Sequence, residues 1–561
     1  MCMELVNARV DGKKKTVLQN VPMAHLEKIA VKTAVAIVAM KKYVTKSMEH
    51  VQMVAKQKEI HSYENDTVQL HGEAETRNIK QGISIQDLLK TKKEICVDNG
   101  SSFKAEYEQI PNGELHSCDA GKRDENKIKN RYKTTFPYDH SRVKLQMANQ
   151  RSDYINANYI KDISGEQRYI ATQGPKRETV SDFWSMIWQE SVKVIVCLTN
   201  LKEGKQGKCA QYWPNCNDKI QSGNFAIRNQ EEKEYSNYIK RHLRLQDTIE
   251  EQEQEVWMFH YTQWPDRGVP EAINLVVFHR HVMRAFPKSS DKDKMVVHCS
   301  AGLGRTGTFI ALDALYRDGL SSGSVNVSEY VTQMRHDRMN MVQGEDQYKM
   351  IYTALYESFR GHLRPVTAKS FLSQNQALNS TYEEDGIKKA QETDNFKSFT
   401  RPDGLISAQY PLENQCEDFL YLVKESRAGT VIFLGPLEDI PSGFHDIRTS
   451  VLECNFWKGE ALTASCRKVL DAIKETKLEE TTHSINRTLV LSRDGAQRCG
   501  PFCVAYNAIE QLILDKEVDI FTAARLIQIR RPEFISTFEE YQFCHELVAE
   551  YLQSDTVYAN F

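Results

Sequence analysis

Residues 296–307 read VVHCSAGLGRTG, and a weaker copy of this stretch, LVLSRDGAQRCG, occupies residues 489–500. In the first copy an apolar strand leads into Cys299, two glycines allow the backbone to curl, and an apolar stretch then begins a helix. In the second copy Ser492 stands where the first has its cysteine, whereas the arginine six residues later is kept. The two stretches therefore predict the same strand–loop–helix unit twice, with the cysteine lost from the second.

The duplication extends beyond this loop. YIATQGPKRETVSDFWSMIW at 169–188 resembles LISAQYPLENQCEDFLYLV at 405–423, and VKVIVCL at 192–198 resembles GTVIFL at 429–434. Short apolar runs alternate with longer helical stretches such as 309–318. We therefore expect an α/β (α+β) fold with two tandem domains, each a central mixed sheet flanked by helices.

The length of 561 residues is too great for one domain. The predicted parts are an N-terminal extension at 1–78, partly helical or disordered; a first domain at 79–360; a shorter second domain at 361–553; and a tail at 554–561. Within the extension, residues 24–58 have helical spacing and many lysines. A solvated helix face and a helix on an anionic membrane surface are the two alternatives for that segment.

Composition excludes several classes of function. The net charge of −3 argues against a dedicated nucleic-acid binder, and the 13 cysteines form no CxxC pair that would indicate a zinc site. The longest apolar run, AVAIVAM at 34–40, is too short to cross a bilayer. The chain as written is predicted to be cytoplasmic; the alternative is the intracellular part of a single-pass membrane receptor, attached through a segment outside this sequence.

The intact loop has the chemistry of an anion cradle. Its backbone, from Ser300 through Ala301, Gly302 and Leu303 to Gly304, can turn N–H groups inward, and the helix that follows adds partial positive charge. Arg305 offers a planar fork for two phosphate oxygens. Because the same positive field favours the thiolate form of Cys299, the loop is predicted to hold a nucleophile inside a phosphate-sized cage.

With His298 before the cysteine, this Cys-x5-Arg pattern resembles the signature of the protein tyrosine phosphatase family, specifically its tandem-domain receptor type. The resemblance covers about 79–360, and more weakly 369–553. It implies transfer of a phosphoryl group from phosphotyrosine in proteins to the cysteine and then to water, without a metal or cofactor.

The resemblance also implies roles for residues outside the loop. YTQWPDRGVP at 261–270 is similar to the family's mobile acid loop, which implies that Asp266 is the general acid and Trp264 a hinge. MVQGEDQY, which contains Gln343 and Gln347, is similar to the loop that positions water, although Gly stands at 344 where the family usually has Thr. Thr306 would ease departure of the thiolate.

Four further residues are implied to shape the pocket. Tyr132 matches the aromatic residue that stacks on the phosphotyrosine ring, and Thr134 stands where the family usually has Asp or Asn. Lys208 matches a residue near the acid loop and the substrate. Glu203 matches the carboxylate that braces Arg305; a solvated loop charge is the alternative for it.

The second copy lacks the corresponding chemistry. Besides Ser492, it has Lys458 and Gly459 where Pro and Asp would be, and Ser536 where the water-positioning glutamine would be. The KNRY and YINA segments have no recognisable counterpart. We expect an inactive, pseudophosphatase domain with a regulatory or binding role; Arg498 either holds an anion or is an ordinary structural arginine.

The sequence leaves two alternative functions open and predicts one binding partner. A phosphotyrosine-binding scaffold with little turnover is the second candidate function, supported by Thr134 and Gly344. A dual-specificity or lipid phosphatase is disfavoured by Tyr132, which implies a deep pocket. In the tail, Tyr558 followed by Asn560 resembles a docking site for the SH2 domain of an adaptor.

Overall fold

The computed structural model describes most of the chain from residue 82 onward and two strands near the start. The described residues are 4–10, 13–19, 82–90, 101–146, 152–266, 268–286, 293–360, 366–367, 394–396, 398–411, 416–436, 450–454, 465–482 and 487–554. They belong to two compact units, residues 1–77 and residues 78–561.

The first unit contains an antiparallel hairpin. Strand β1 (Glu4–Val10) pairs with β2 (Lys13–Gln19) along its whole length. The helix predicted at 24–58 lies outside the described residues.

The first half of the second unit is built on a large mixed sheet. Its strands, with four short ones that pair separately, are β3 (Ile83–Ser84), β4 (Arg142–Lys144), β5 (Tyr154–Ile160), β6 (Tyr169–Thr172), β7 (Val194–Cys197), β8 (Lys202–Glu203), β9 (Gln206–Gly207), β10 (Lys219–Ser222), β11 (Phe225–Glu234), β12 (Tyr238–Asp247), β13 (Glu253–Tyr261), β14 (Met295–His298) and β15 (Ser324–Val325). The sheet order is β10-β11-β12-β13-β7-β14-β6-β5-β4, with β15 paired to β3 and β8 to β9.

Helices cover both faces of this sheet. They are α1 (Ile85–Lys90), α2 (Ser101–Glu108), α3 (Asp119–Lys122), α4 (Asp124–Lys127), α5 (Val180–Gln189), α6 (Ala272–Arg284), α7 (Gly304–Ser322), α8 (Val327–Asp337) and α9 (Glu345–Arg360). Two large groups of buried apolar side chains separate the sheet from these helices. The helical stretches predicted from the sequence, including 309–318, fall within α7 and α9.

The four central strands β13, β7, β14 and β6 run parallel. Every residue of β6, β7 and β14 is buried, as expected for strands covered on both faces. Strand β14 lies between β7 and β6, so its carboxyl end at His298 opens at the middle of one sheet edge. This edge is where α/β sheets commonly carry their sites.

The second half repeats this plan on a smaller scale. Its strands are β16 (Val366–Thr367), β17 (Asp394–Phe396), β18 (Leu405–Gln409), β19 (Ala428–Phe433), β20 (Ser450–Glu453), β21 (Arg487–Ser492) and β22 (Glu517–Val518). Its helices are α10 (Cys416–Ser426), α11 (Cys466–Thr482), α12 (Cys499–Asp515), α13 (Ile520–Gln528) and α14 (Phe538–Ser554).

The two sheets share one topology. The order β17-β18-β21-β19-β20 reproduces β5-β6-β14-β7-β13, with β18, β21, β19 and β20 parallel and β17 antiparallel. The predicted α/β class with mixed sheets and flanking helices is confirmed. The sequence shows no counterpart of the YINA segment, yet β17 takes the place of its strand β5. This counterpart is three residues long, too short for its pattern to be recognised.

Among the described residues, no helix combines the length and the apolar character needed to cross a bilayer.

Candidate active site

The signature loop connects β14 to α7 at the centre of the sheet edge. Gly302 has φ +71°, and a Cβ atom there would lie 2.2 Å from the carbonyl oxygen of Thr172. Only glycine fits this combination of backbone angle and close approach. The sharp curl after Cys299 therefore depends on Gly302.

The carbonyl groups of the loop point away from its concave side. Their partners are His298 Nδ1 for Cys299 (3.2 Å), Gly174 N–H for Ser300 (2.9 Å), Arg338 for Ala301 (3.1 Å) and Gly302 (2.9 Å), and Gly307 N–H for Leu303 (2.8 Å). Because a peptide N–H points opposite to the neighbouring carbonyl, the N–H groups from Ser300 to Gly304 line the inner side. This is the backbone arrangement of an anion-binding nest.

Cys299 lies at the base of this nest. Its side chain is 5% exposed, and its sulfur accepts the N–H of Gly302 at 3.3 Å. His298 behind it is fully buried, and burial lowers its pKa to about 4, so the ring is neutral at pH 7. Since a carbonyl only accepts, Nδ1 carries the proton toward the Cys299 carbonyl, and Nε2 accepts from the hydroxyl of Tyr212 at 2.7 Å.

Arg305 is held by a carboxylate and two carbonyls. Its Nη1 and Nη2 donate to the two oxygens of Glu203 at 2.5 and 3.2 Å, and Nη1 also donates to the carbonyl of Leu198. Burial alone would raise the pKa of the Glu203 carboxyl, but the hydrogen bonds and charge of Arg305 hold it below its usual value. Glu203 is 9% exposed and therefore is not a solvated loop charge.

The segment predicted as the acid loop lies against this arginine. Nη2 of Arg305 donates to the carbonyl of Pro265 at 3.2 Å, and the ring of Trp264 lies 5.7 Å from its Cζ atom. Trp264 is 3% exposed and donates from Nε1 to the carbonyl of Gly268 at 3.3 Å, across the loop. Asp266 follows Pro265 and has an exposed side chain.

Gln343 and Gln347 lie next to the signature loop at Gly304. The backbone N–H of Gln343 donates to Oε1 of Gln347 at 3.0 Å, and a Cβ atom on Gly304 would lie 3.1 and 2.7 Å from their side-chain oxygens. The hydroxyl of Thr306 is buried and has no hydrogen-bond partner among the described residues. A Cβ atom on Gly344 would meet no other atom within 4 Å. Glycine at this position, where the family usually has Thr, therefore leaves open space and causes no strain.

Two of the residues predicted to shape the pocket, Tyr132 and Lys208, lie next to the signature loop. Tyr132 is 37% exposed and its hydroxyl lies 2.8 Å from Oγ of Ser300, which donates in turn to the carbonyl of Lys208. Lys208 Nζ lies 3.9 Å from Glu203, so this lysine belongs to the same cluster of charges. Thr134 is exposed beside Tyr132.

Sequence reasoning missed the arginine beneath the loop. Arg338 is fully buried and donates to the carbonyls of Gly302 and Ala301 and to the side-chain oxygens of Asn158 (2.6 Å) and Asn156 (2.8 Å). Burial lowers its pKa to about 10, which leaves it protonated at neutral pH. The available signal was the pair of asparagines two residues apart in an apolar strand, since buried amides require polar partners.

Arg131 was missed as well. Its guanidinium donates to the carbonyls of Gly174, Pro175 and Gly207, and its own N–H donates to Gln173. It therefore fixes the backbone before Tyr132 to the segments that flank the signature loop.

The buried histidines predict a loss of stability in mild acid. Burial lowers the pKa of His260 to about 3 and that of His298 to about 4, whereas an unfolded histidine titrates near 6.5. Below pH 6.5 the unfolded chain binds more protons, so stability falls as the pH falls toward 4. At pH 5 these two residues remove on the order of 2 to 4 kcal/mol. Urea unfolding at pH 7.5 and pH 5 measures this change.

The matched control for that prediction is His260→Gln, which removes one of these two histidines. The variant should lose less stability between pH 7.5 and pH 5 than the unaltered chain. Equal losses would contradict the assignment to this histidine, because most carboxylates titrate below this window.

The backbone of the second loop follows the same course as that of the first, but its side-chain interactions differ. Gly495 has φ +66°, like Gly302, and Arg498 donates to the carbonyl of Leu434 as Arg305 does to Leu198. Asp494, however, accepts the N–H groups of Ala496 (2.9 Å) and Gln497 (3.2 Å) and the hydroxyl of Ser492 (3.0 Å). A carboxylate of the chain itself thus satisfies loop N–H groups.

The neighbouring positions of the second loop also differ. Cys499 is fully buried with its sulfur 3.3 Å from Oγ of Ser492, and burial raises its pKa to about 11. Ser536 donates its N–H and hydroxyl to Glu540. Residues 455–464, which carry the counterpart of the acid loop, lie outside the described residues.

Comparison with known proteins places this fold and site in a family. A family model described as protein-tyrosine phosphatase matches residues 126–357 and 441–550, and the chain belongs to that family, with two phosphatase-type regions in tandem. It is 28% identical over 574 residues to receptor-type tyrosine-protein phosphatase alpha of Homo sapiens, covering 83% of this chain and 71% of the relative.

A second relative is receptor-type tyrosine-protein phosphatase C of Mus musculus. It is 28% identical over 590 residues, covering 82% of this chain and 46% of the relative. The chain therefore spans about half the length of the type C relatives. Both relatives are receptor-type tyrosine-protein phosphatases.

Proposed function

We propose that the first phosphatase region hydrolyses phosphotyrosine in proteins through a phosphocysteine intermediate. The observation that carries this proposal is the position of the Cys299 sulfur at the base of a ring of inward N–H groups, beside the Arg305–Glu203 pair. The N–H groups and the arginine would hold the three outer oxygens of the phosphoryl group and stabilise the charge that develops on them. No step requires a metal or cofactor.

The reaction proceeds in two displacements. The Cys299 thiolate attacks phosphorus while the bond to the tyrosyl oxygen breaks, and Asp266 donates its proton to that oxygen. Water positioned by Gln343 and Gln347 then attacks phosphorus, and the Asp266 carboxylate accepts its proton. The bond between phosphorus and sulfur breaks, and the hydroxyl of Thr306 donates a hydrogen bond to the departing thiolate.

Tyr132 supports specificity for tyrosine. Its ring is partly exposed and its hydroxyl lies 2.8 Å from Oγ of Ser300, so it would stack against an aryl phosphate that reaches down to Cys299. A phosphoserine phosphate lies closer to its own backbone and would not reach the nest. Binding without turnover is supported only by Thr134 and Gly344, and neither occupies or distorts the nest.

We also propose that the second region is a pseudophosphatase. Ser492 has a hydroxyl in place of the thiol, Ser536 replaces the loop glutamine, and Asp494 takes N–H groups that a phosphate would need. This arrangement favours the structural role for Arg498 over anion binding. Receptor-type relatives favour a location of the chain on the inner side of a membrane.

The test of the proposed function is a comparison of substrates with the full chain. A phosphotyrosine peptide should be hydrolysed at least about 100-fold faster than the same peptide with phosphoserine and faster than a phosphoinositide. Acid quenching during turnover should trap phosphate on Cys299, identified by mass spectrometry. Binding of the phosphotyrosine peptide without release of phosphate would instead establish a scaffold.

The tail supports a separate proposal about partners. Tyr558, which lies outside the described residues, would bind the SH2 domain of an adaptor once phosphorylated, because Asn560 follows two residues later. A synthetic 554–561 peptide with phosphotyrosine should bind such a domain, and the same peptide with Asn560→Ala should not. Equal binding of the two peptides would remove the proposal.

A further inference from the structure

The second phosphatase region contacts the helix that follows the acid loop. On α6, Arg284 donates to Glu517 at 2.8 Å and Arg280 donates to Thr522 at 3.2 Å. His281 Nε2 lies 3.2 Å from Oδ2 of Asp515. The polar residues along one side of α6 are therefore paired with residues of the second region.

The turn between β11 and β12 is contacted as well. The hydroxyl of Tyr235 donates to Asp515 at 2.6 Å, and the N–H of Ser236 donates to the carbonyl of Phe399 at 3.1 Å. The rings of Tyr235 and Phe399 also meet, with centroids 5.6 Å apart. Two separate parts of the second region thus contact α6 and the turn between β11 and β12, which flank the acid loop.

A chain of hydrogen bonds links the two ends of the acid loop. Thr262, at the start of the loop, donates its N–H and hydroxyl to the carbonyl of Asn237 at 2.9 and 3.2 Å. The Asn237 amide donates to Asn274 at 3.3 Å, and the Asn274 amide donates to Glu271 at 2.9 Å. Both asparagines are buried. Glu271 precedes the first residue of α6, directly after the loop.

This series of hydrogen bonds ends at a residue of the second region. Oε1 of Glu271 pairs with Nη2 of Arg530, in the segment after α13. Arg530 is adjacent to Arg531, which occupies the position of Arg338 beneath the second loop and donates to the carbonyl of Asp494. Arg530, which pairs with the residue directly after the acid loop, is therefore next in sequence to the arginine that supports the second loop.

We propose that Arg530 is a positioning residue for the acid loop of the first region. It fixes Glu271, and with it the end of the loop that brings Asp266 to the leaving oxygen. The inactive region thereby supports proton donation in the active one without touching the substrate. This inference rests on the proposed function, since it assigns a role in that reaction.

The test uses the dependence of rate on the leaving group. In Arg530→Ala, loss of loop positioning should lower kcat/KM for phenyl phosphate about three- to ten-fold, because kcat/KM reports the transfer to Cys299, in which the leaving oxygen needs the proton. The value of kcat/KM for 2,4-dinitrophenyl phosphate, whose leaving group needs little protonation, should stay within about two-fold. Arg530→Lys should recover most of the loss.

The matched control is Arg525→Ala, which removes another ion pair between the two regions, that between Arg525 and Glu357. It does not lie on the chain that leads to the acid loop, so it should leave the leaving-group dependence unchanged. An unaltered dependence in Arg530→Ala, or an equal change in Arg525→Ala, would overturn the inference. Absence of turnover in the unaltered chain would instead overturn the proposed function.

Discussion

Replacing Cys299 by serine should lower kcat for a phosphotyrosine peptide by at least about 10⁴-fold, because a serine hydroxyl does not ionise at neutral pH and the nucleophile is lost. Binding should persist, since Arg305, Glu203 and the inward N–H groups of the loop remain in place. Stopped-flow and steady-state assays measure the loss of rate, and calorimetry measures peptide binding. A residual rate within about 100-fold of the unaltered chain would contradict a covalent role for this cysteine.

The reciprocal substitution is the control for this prediction. Ser492→Cys, placed in the Cys299→Ser background, should restore no measurable turnover. The carboxylate of Asp494 would still accept the N–H groups of Ala496 and Gln497, and Ser536 would still replace the glutamine. Recovery of activity would show that the missing thiol alone makes the second region inactive.

Replacing Arg338 by methionine should lower both stability and catalysis. The change leaves four buried acceptors without their donor, on Gly302, Ala301, Asn156 and Asn158, and should cost about 3 to 5 kcal/mol of unfolding free energy. Without these bonds the loop carbonyls are free to turn, and the inward N–H groups lose their direction. We expect kcat to fall about 10²- to 10³-fold, measured at a temperature at which the variant is folded.

Arg335→Met is the matched control for the arginine beneath the loop. Arg335 is also buried, but it donates to the carbonyls of Met341, Val342 and Pro111, so it supports the segment that leads into Gln343 rather than the signature loop. Its loss should slow hydrolysis of the phosphocysteine and spare the initial burst of product. Arg338→Met should reduce the burst rate itself, and an unchanged burst in that variant would remove its assigned role.

The central strands and the loop could be predicted from the sequence because their pattern is local. Apolar runs of four or more residues bounded by glycine or polar turns gave β7, β14 and β21, and each is observed. The strand β17 could not be predicted in this way, because it consists of three residues and gains its place by pairing with β18. Pairing of that kind depends on tertiary contacts that a short window of sequence does not contain.

The residues of the site also divide into those that a local pattern predicts and those that only tertiary contacts bring together. Cys299, Arg305 and the loop glycines lie within one short motif, whose spacing predicts their meeting. Arg338 lies far along the chain from the loop, and only the folded sheet brings it beneath Gly302 and Ala301. The contact of Arg530 with Glu271 spans an even longer separation and joins two regions, so no local pattern announces it.

The carboxylate in the second loop has a consequence for how the two halves respond to their solvent. Among the described residues, only the sulfur of Cys299 accepts an inward N–H of the first loop, whereas the second loop supplies its own acceptor in Asp494. We therefore expect free phosphate or sulfate to add binding free energy to the native state of the first half and little to that of the second. Under the proposed assignment, the second half needs no bound anion to satisfy its loop, whereas the stability of the first half depends on the concentration of the anion that it binds.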